Sequence, residues 1–201
     1  MTAGSETPSL DWGVASRTYP GQRECGDAHL VAPYAGGVLA AVADGLGHGH
    51  EAALASKMAL TELARTAGKG LTAAVRECHE AVRRTRGVAL SVVAIEPTAI
   101  TWLGVGNVEA VLFSPGEPRR RESLVPRAGV VGYHLPSLRE TRVPIAGGDV
   151  LVLATDGVSI RFSERPPPPG TAARIAHELL EAYAKPDDDA LVLVLRREPD
   201  A

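Results

Sequence analysis

Cysteine is close to absent from this chain. Cys25 and Cys78 are the only two in 201 residues, too few for a disulfide framework, and a chain of this length buries enough core to stand without one. Basic charge is not in excess either: 21 lysines and arginines face 24 aspartates and glutamates, a net charge of −3. No basic stripe runs along the sequence, which excludes nucleic acid and anionic membrane as expected partners. No apolar run reaches the length that spans a bilayer, and the first nine residues show neither the basic start nor the apolar core of a leader peptide. The expectation is a cytoplasmic protein. The six histidines and two cysteines follow no recurring ligand spacing, which argues against zinc. A phosphate-cradling G-x-x-x-x-G-K-[ST] loop is missing, and so is a nucleophilic Cys or Ser motif.

What the chain does have is one phrase used twice. The apolar run over 37–43 ends at Ala43-Asp44-Gly45, and the run over 150–154 ends at Ala154-Thr155-Asp156-Gly157. A short apolar run bounded by glycine reads as a buried strand, so each aspartate belongs at a strand end where the chain turns. A third carboxylate group, Asp187-Asp188-Asp189, stands directly before another such run at 190–195, and Asp27 opens a further alternating stretch. Asp-Gly is an ordinary turn pair, and either site alone reads as a strand-ending turn. Repetition changes the reading. Several buried strands delivering carboxylates to one sheet edge would cost roughly several kcal/mol unless a cation neutralises them. Oxygen-only donors favour a hard divalent ion, Mg²⁺ or Mn²⁺.

The periodicity predicts strands over 10–16, 27–32 and 37–43, then helices over 51–67 and 71–86. Strands follow at 89–95, 99–105 and 109–114, with a weak one near Leu124, and again at 139–143 and 149–154. A helix capped by Thr171 runs to 184, and Pro186 precedes the last strand. Hairpin spacing implies antiparallel sheets, and two of them packed face to face under helices would gather Asp27, Asp44, Asp156 and Asp187 at one end. One domain over 10–197 is expected, preceded by a flexible stretch at 1–9. Cys78 belongs to the core, and Cys25 reads as a small buried residue beside the site. The run Pro166-Pro167-Pro168-Pro169 reads as a stiff extended connector; following Asp156 closely in sequence, it is expected near the mouth of the site.

The motifs together resemble the metal-dependent serine/threonine phosphatases of the PP2C type, in their bacterial SpoIIE-like branch. Ala43-Asp44-Gly45-Leu46-Gly47-His48-Gly49 resembles the A-D-G-M-G-H-G signature of that branch, and Thr155-Asp156-Gly157 its T-D-G. Asp187-Asp188-Asp189-Ala190-Leu191 is similar to its terminal D-D-x-[ST]-L, and Gly26-Asp27 to its early G-D. Within the branch, the segments Trp102-Leu103-Gly104-Val105-Gly106-Asn107-Val108 and Gly129-Val130-Val131-Gly132-Tyr133 resemble the stand-alone stressosome phosphatases.

The resemblance implies an α+β fold, the PP2C-like α-β-β-α sandwich of two antiparallel sheets flanked by helices. It implies two divalent cations, Mn²⁺ or Mg²⁺, bridged by Asp44, with the Gly45 carbonyl, Asp27, Asp156 and Asp187 completing the shell. It further implies hydrolysis of phosphoserine or phosphothreonine on STAS-domain proteins of a stressosome-like complex. Two other readings stay open: a phosphatase of a free anti-anti-sigma factor, and a catalytically silent module that only binds a phosphoprotein. Leu46 stands where eukaryotic relatives place a histidine proposed as general acid, which makes His48 a candidate for that role. Arg23, four residues before Asp27, is a candidate for the substrate phosphate.

Overall fold

The computed structural model describes residues 9–116 and 120–199. The chain opens with β1 (Leu10–Arg17), β2 (Asp27–Tyr34) and β3 (Gly37–Gly45), then α1 (His50–Thr66), a 3₁₀ turn at Ala67–Lys69 and α2 (Leu71–Ala81). β4 (Val88–Ile95), β5 (Ala99–Val105), β6 (Glu109–Ser114), β7 (Arg120–Leu124), β8 (Thr141–Pro144) and β9 (Val150–Ala154) come next. A second 3₁₀ turn (Ile160–Glu164) leads to α3 (Ala172–Tyr183) and β10 (Ala190–Arg197). Of the expected flexible stretch at 1–9, all but Ser9 lies outside the described residues.

Two five-stranded sheets form, in the orders β1-β10-β9-β6-β7 and β2-β3-β4-β5-β8, with every neighbouring pair antiparallel. Period-two alternation decides which side chains meet. Ala40 and Val42 of β3 and Val93 and Ile95 of β4 face Leu151 and Leu153 of β9 and Leu191, Leu193 and Leu195 of β10 across the middle of the sandwich. The alternate positions Leu39, Ala41 and Ala43 pack under α1 and α2. On the outer side, Val152, Val192 and Val194 pack under α3 through Ile175, Ala176 and Leu179. β4 is buried at all eight positions because helices cover one face and the opposite sheet the other. This is the expected α-β-β-α sandwich, with a helix pair on one side and α3 alone on the other.

Most expected elements fall within a residue or two of their observed ends. α2 is the clearest exception, stopping at Ala81 rather than Arg86. Gly132 lies against Val82 and Gly87, so the segment after β7 fills the space that another helical turn would take. Among the described residues no helix is long and apolar enough to cross a membrane.

α3 sits close on β1 because Gly13 is buried there without a side chain, and a Cβ at that position would overlap the Ala173 backbone. Asp11 Oδ2 accepts the Ala172 N–H at 2.8 Å and pairs with Arg196 at 3.0 Å, fastening the start of the helix to the same strand. Gly13→Ala is therefore expected to cost about 1–3 kcal/mol of stability, read as a lower urea midpoint at unchanged slope. An unchanged midpoint would contradict this packing.

Candidate metal centre

Strand register brings the first two acids together. β2 and β3 pair so that Asp27, the first residue of one, lies opposite Asp44, the penultimate residue of the other. Gly45 closes β3 against α1, and a Cβ there would overlap the Ala52 carbonyl, so only glycine admits this approach. Asp156 arrives from the opposite sheet, in the turn that follows β9. Its Oδ2 accepts a hydrogen bond from Asn107 Nδ2 at 2.5 Å, and its charge acts on Asp44.

Thr155 ties the two sheets at this point. Its hydroxyl donates to Asp27 Oδ2 at 2.8 Å and accepts the Leu191 N–H at 2.9 Å. One buried side chain thus fixes the first residue of β2 against the second residue of β10.

The three consecutive aspartates before β10 point in different directions. Asp187 is exposed, and the structure does not bring it to the other acids. Asp188 is half-buried, and its charge acts on Asp27 and Asp44 and is itself raised by that of Asp156. Asp189 is buried and turned inward, accepting the Tyr19 N–H at 2.7 Å and the Gly26 N–H at 2.9 Å. It anchors the loop that leads into Asp27. A Cβ at Gly157 would overlap the Asp189 carbonyl, so the glycine of the T-D-G phrase lets the two turns nest.

Burial raises the Asp44 carboxyl well above the usual range, and the charges of Asp27, Asp156 and Asp188 push it further the same way. Asp27 is raised too, first by burial and then by Asp189, Asp156 and Asp188, while the Thr155 hydrogen bond acts against this. Asp188 is raised by burial and by Asp156, with Lys185 offsetting part of the effect. Among the described residues none of Asp27, Asp44, Asp156 and Asp188 forms an ion pair with a lysine or arginine. The donor set is all oxygen and no ion pair among the described residues balances the negative charge, which fits a hard divalent cation. The carboxylates meet pairwise: no three His, Cys, Asp or Glu side chains among the described residues converge closely enough to grip one ion.

The His48 ring stacks on Tyr19, with centroids 4.3 Å apart and planes 14° from parallel. Arg23 is exposed and makes no ion pair among the described residues. Cys25 is half-buried, and burial pushes its thiol up to about 12, so it stays protonated. The proline run does not flank the site. The 3₁₀ turn at Ile160–Glu164 carries the chain back along the outer face of the sheet to the end where Phe113 and Val150 pair, whereas the acids sit at the Ala154 end. Thr155, Asn107 and Asp189 had no assigned role from sequence. All three lie in motifs already singled out, but hydrogen bonds between distant residues leave no local pattern.

A family model, Stage II sporulation protein E (SpoIIE), matches residues 34–198. The chain belongs to the SpoIIE family. Phosphoserine phosphatase RsbX of Bacillus subtilis (strain 168) is 26% identical over 180 residues, covering 87% of this chain and 88% of RsbX. Among solved structures, one described for the bacterial stressosome, as a modular system adapted to control secondary messenger signaling, is 28% identical. It covers 94% of this chain and 100% of that chain with a TM-score of 0.84. A crystal structure of RsbX in complex with magnesium is 21% identical over 95% of this chain and 96% of that one, with a TM-score of 0.81. These matches confirm the PP2C-like fold and the likeness to RsbX within the SpoIIE branch.

Thr155→Val removes both hydrogen bonds of the inter-sheet hydroxyl and leaves the buried Asp27 carboxylate and Leu191 N–H without their partner. The variant is expected to lose about 1–3 kcal/mol in urea denaturation, while Thr155→Ser keeps most of the stability. A loss in Thr155→Ser with none in Thr155→Val would show that packing of the methyl group, rather than the hydroxyl, matters here.

Proposed function

We propose that this chain, a protein serine/threonine phosphatase by family and fold, removes phosphate from phosphoserine or phosphothreonine on STAS-domain proteins of a stressosome-like complex in the cytoplasm. One observation carries the reading: carboxylates from both sheets meet at one end of the sandwich, and among the described residues no lysine or arginine forms an ion pair with them. The likeness to RsbX over most of both chains and the likeness to a stressosome structure support the choice of substrate. A module kept only for binding would have no reason to hold repelling charges together, which argues against a silent relative.

Asp44, Asp27, Asp156 and Asp188 would hold two divalent cations, Mn²⁺ or Mg²⁺, together with the Gly45 carbonyl. Asp188 takes the place that the motif alone gave to Asp187. Such a cation pair, when bound, supplies an activated water and neutralises charge on phosphate oxygens. The chain's own contribution is positional. Thr155 fixes one Asp27 oxygen, Asn107 fixes one Asp156 oxygen, and Asp189 holds the loop before Asp27. No side chain near the acids is poised as a nucleophile: the Cys25 thiol is kept protonated, and its Sγ donates to the Arg17 carbonyl. The reading therefore requires no covalent phosphoenzyme.

Asp44→Asn is expected to abolish Mn²⁺-dependent hydrolysis of p-nitrophenyl phosphate while keeping a cooperative unfolding transition. Wild-type turnover in that variant would overturn the metal-dependent mechanism. Incubation of the wild type with phosphorylated STAS-domain proteins in Mn²⁺, followed by mass spectrometry, is expected to show loss of phosphate from serine or threonine. Hydrolysis of the small ester but of no STAS phosphoprotein would retain the enzyme and refute the substrate.

A further inference from the structure

The proline run has no part in the metal centre, but it lines a cavity of about 770 Å³ at the other end of the same sheet. The cavity opens where Phe113 pairs with Val150 and Val150 with Arg196. Glu109 and Ala154 mark the acidic end of those strands. At about 3.3 Å per residue, the two ends are about 13 Å apart along the strands. Phe113, Val150 and Ile175 supply buried apolar surface, and Pro166, Pro167, Pro168 and Pro169 supply a wall with fixed φ. Such a wall is formed before any ligand arrives, so little ordering entropy is lost on binding.

The charge around this cavity is opposite to that of the chain. Arg120, Arg121 and Arg165 are exposed and line it, in a protein whose net charge is −3. Arg121 donates to Ser163 Oγ at 2.8 Å and its charge acts on Glu109, but among the described residues no carboxylate forms an ion pair with it. Arg120 and Arg165 have no hydrogen-bonded or ionic side-chain partner among the described residues. Arg196 is already balanced by Asp11 at 3.0 Å and donates to the Gly170 carbonyl. Among the described residues Glu164 is the one acid in the lining, so there positive charge is in excess. The carbonyls of Arg165 and the four prolines accept no hydrogen bond from any described residue. The cavity thus offers apolar walls, guanidinium groups and free main-chain acceptors side by side.

From this combination we infer that the cavity is a docking site for an acidic peptide segment of a partner protein, bound apart from the metal centre. Carboxylates of the segment meet Arg120, Arg121 and Arg165, its aliphatic side chains enter between Phe113 and the proline wall, and its N–H groups meet the free carbonyls. A simple anion would use the arginines but not the carbonyls or the apolar floor. The inference concerns binding and does not rest on the phosphatase reading.

Fluorescence anisotropy with a short labelled peptide of alternating Glu and Leu tests it on the full chain. Saturable binding is expected, weakening with added salt, with no binding of the matching Lys and Leu peptide. The double variant Arg120→Glu/Arg165→Glu changes two exposed side chains that have no partner, so its melting temperature is expected to match the wild type while its affinity for the acidic peptide falls by about tenfold. Asp44→Asn is expected to bind the peptide as the wild type does. Absence of binding, binding unchanged in the double variant, or binding lost in Asp44→Asn would each overturn the site. Concentration-dependent dimerisation lost in the double variant would make a second copy of the chain the occupant and overturn the peptide assignment.

Discussion

Like charges placed side by side by strand register are the constraint on which this end of the molecule is built. Opposed side chains in an antiparallel pair are about 5 Å apart, and two carboxylates at that distance repel by roughly 3 kcal/mol at an effective dielectric of about 20. Asp27 and Asp44 stand in that relation, and Asp156 adds a third charge from the opposite sheet. A fold that only needed a stable sandwich would replace these residues with neutral ones. Their retention together makes sense if folding and cation binding are coupled, the ion stabilising the native state by the free energy of its binding.

The repulsion has to be contained by neighbours that are themselves fully satisfied. Asp189, the most deeply buried of its run, meets two backbone N–H groups rather than another acid. Thr155 uses its hydroxyl twice, once for each sheet. Gly157 removes the side chain that would hold the two acidic turns apart. The result is a frame of satisfied groups around a few like charges held in place, the arrangement a functional site requires.

Much of the fold is legible in the sequence because both faces of the central strands are covered. Apolar runs such as 88–95 then stand out without any alternation to interpret. The grouping of Asp27, Asp44 and Asp156 is legible for a related reason, since Asp44 and Asp156 sit where such a run stops and Asp27 sits where an alternating stretch begins. Three neighbouring aspartates are harder: all share one turn, and which of them turns inward depends on how that turn nests against Gly157, whose Cβ would overlap the carbonyl of Asp189, far along the chain. His48 stacks on Tyr19, a contact that no local pattern announces. The proline run misleads because closeness in sequence to Asp156 is undone by a 3₁₀ turn that sends the chain down the length of the sheet. Charge and hydrophobic period are written locally, whereas the direction of a turn is decided by what it packs against.

The coupling between the acids and a divalent cation is tested most directly by thermal unfolding of the wild type, Asp187→Asn and Asp188→Asn, each in chelator and in millimolar Mn²⁺. The account predicts a rise in melting temperature with Mn²⁺ for the wild type and for Asp187→Asn, and most of that rise lost in Asp188→Asn. Superimposed wild-type curves in chelator and in Mn²⁺ would contradict it.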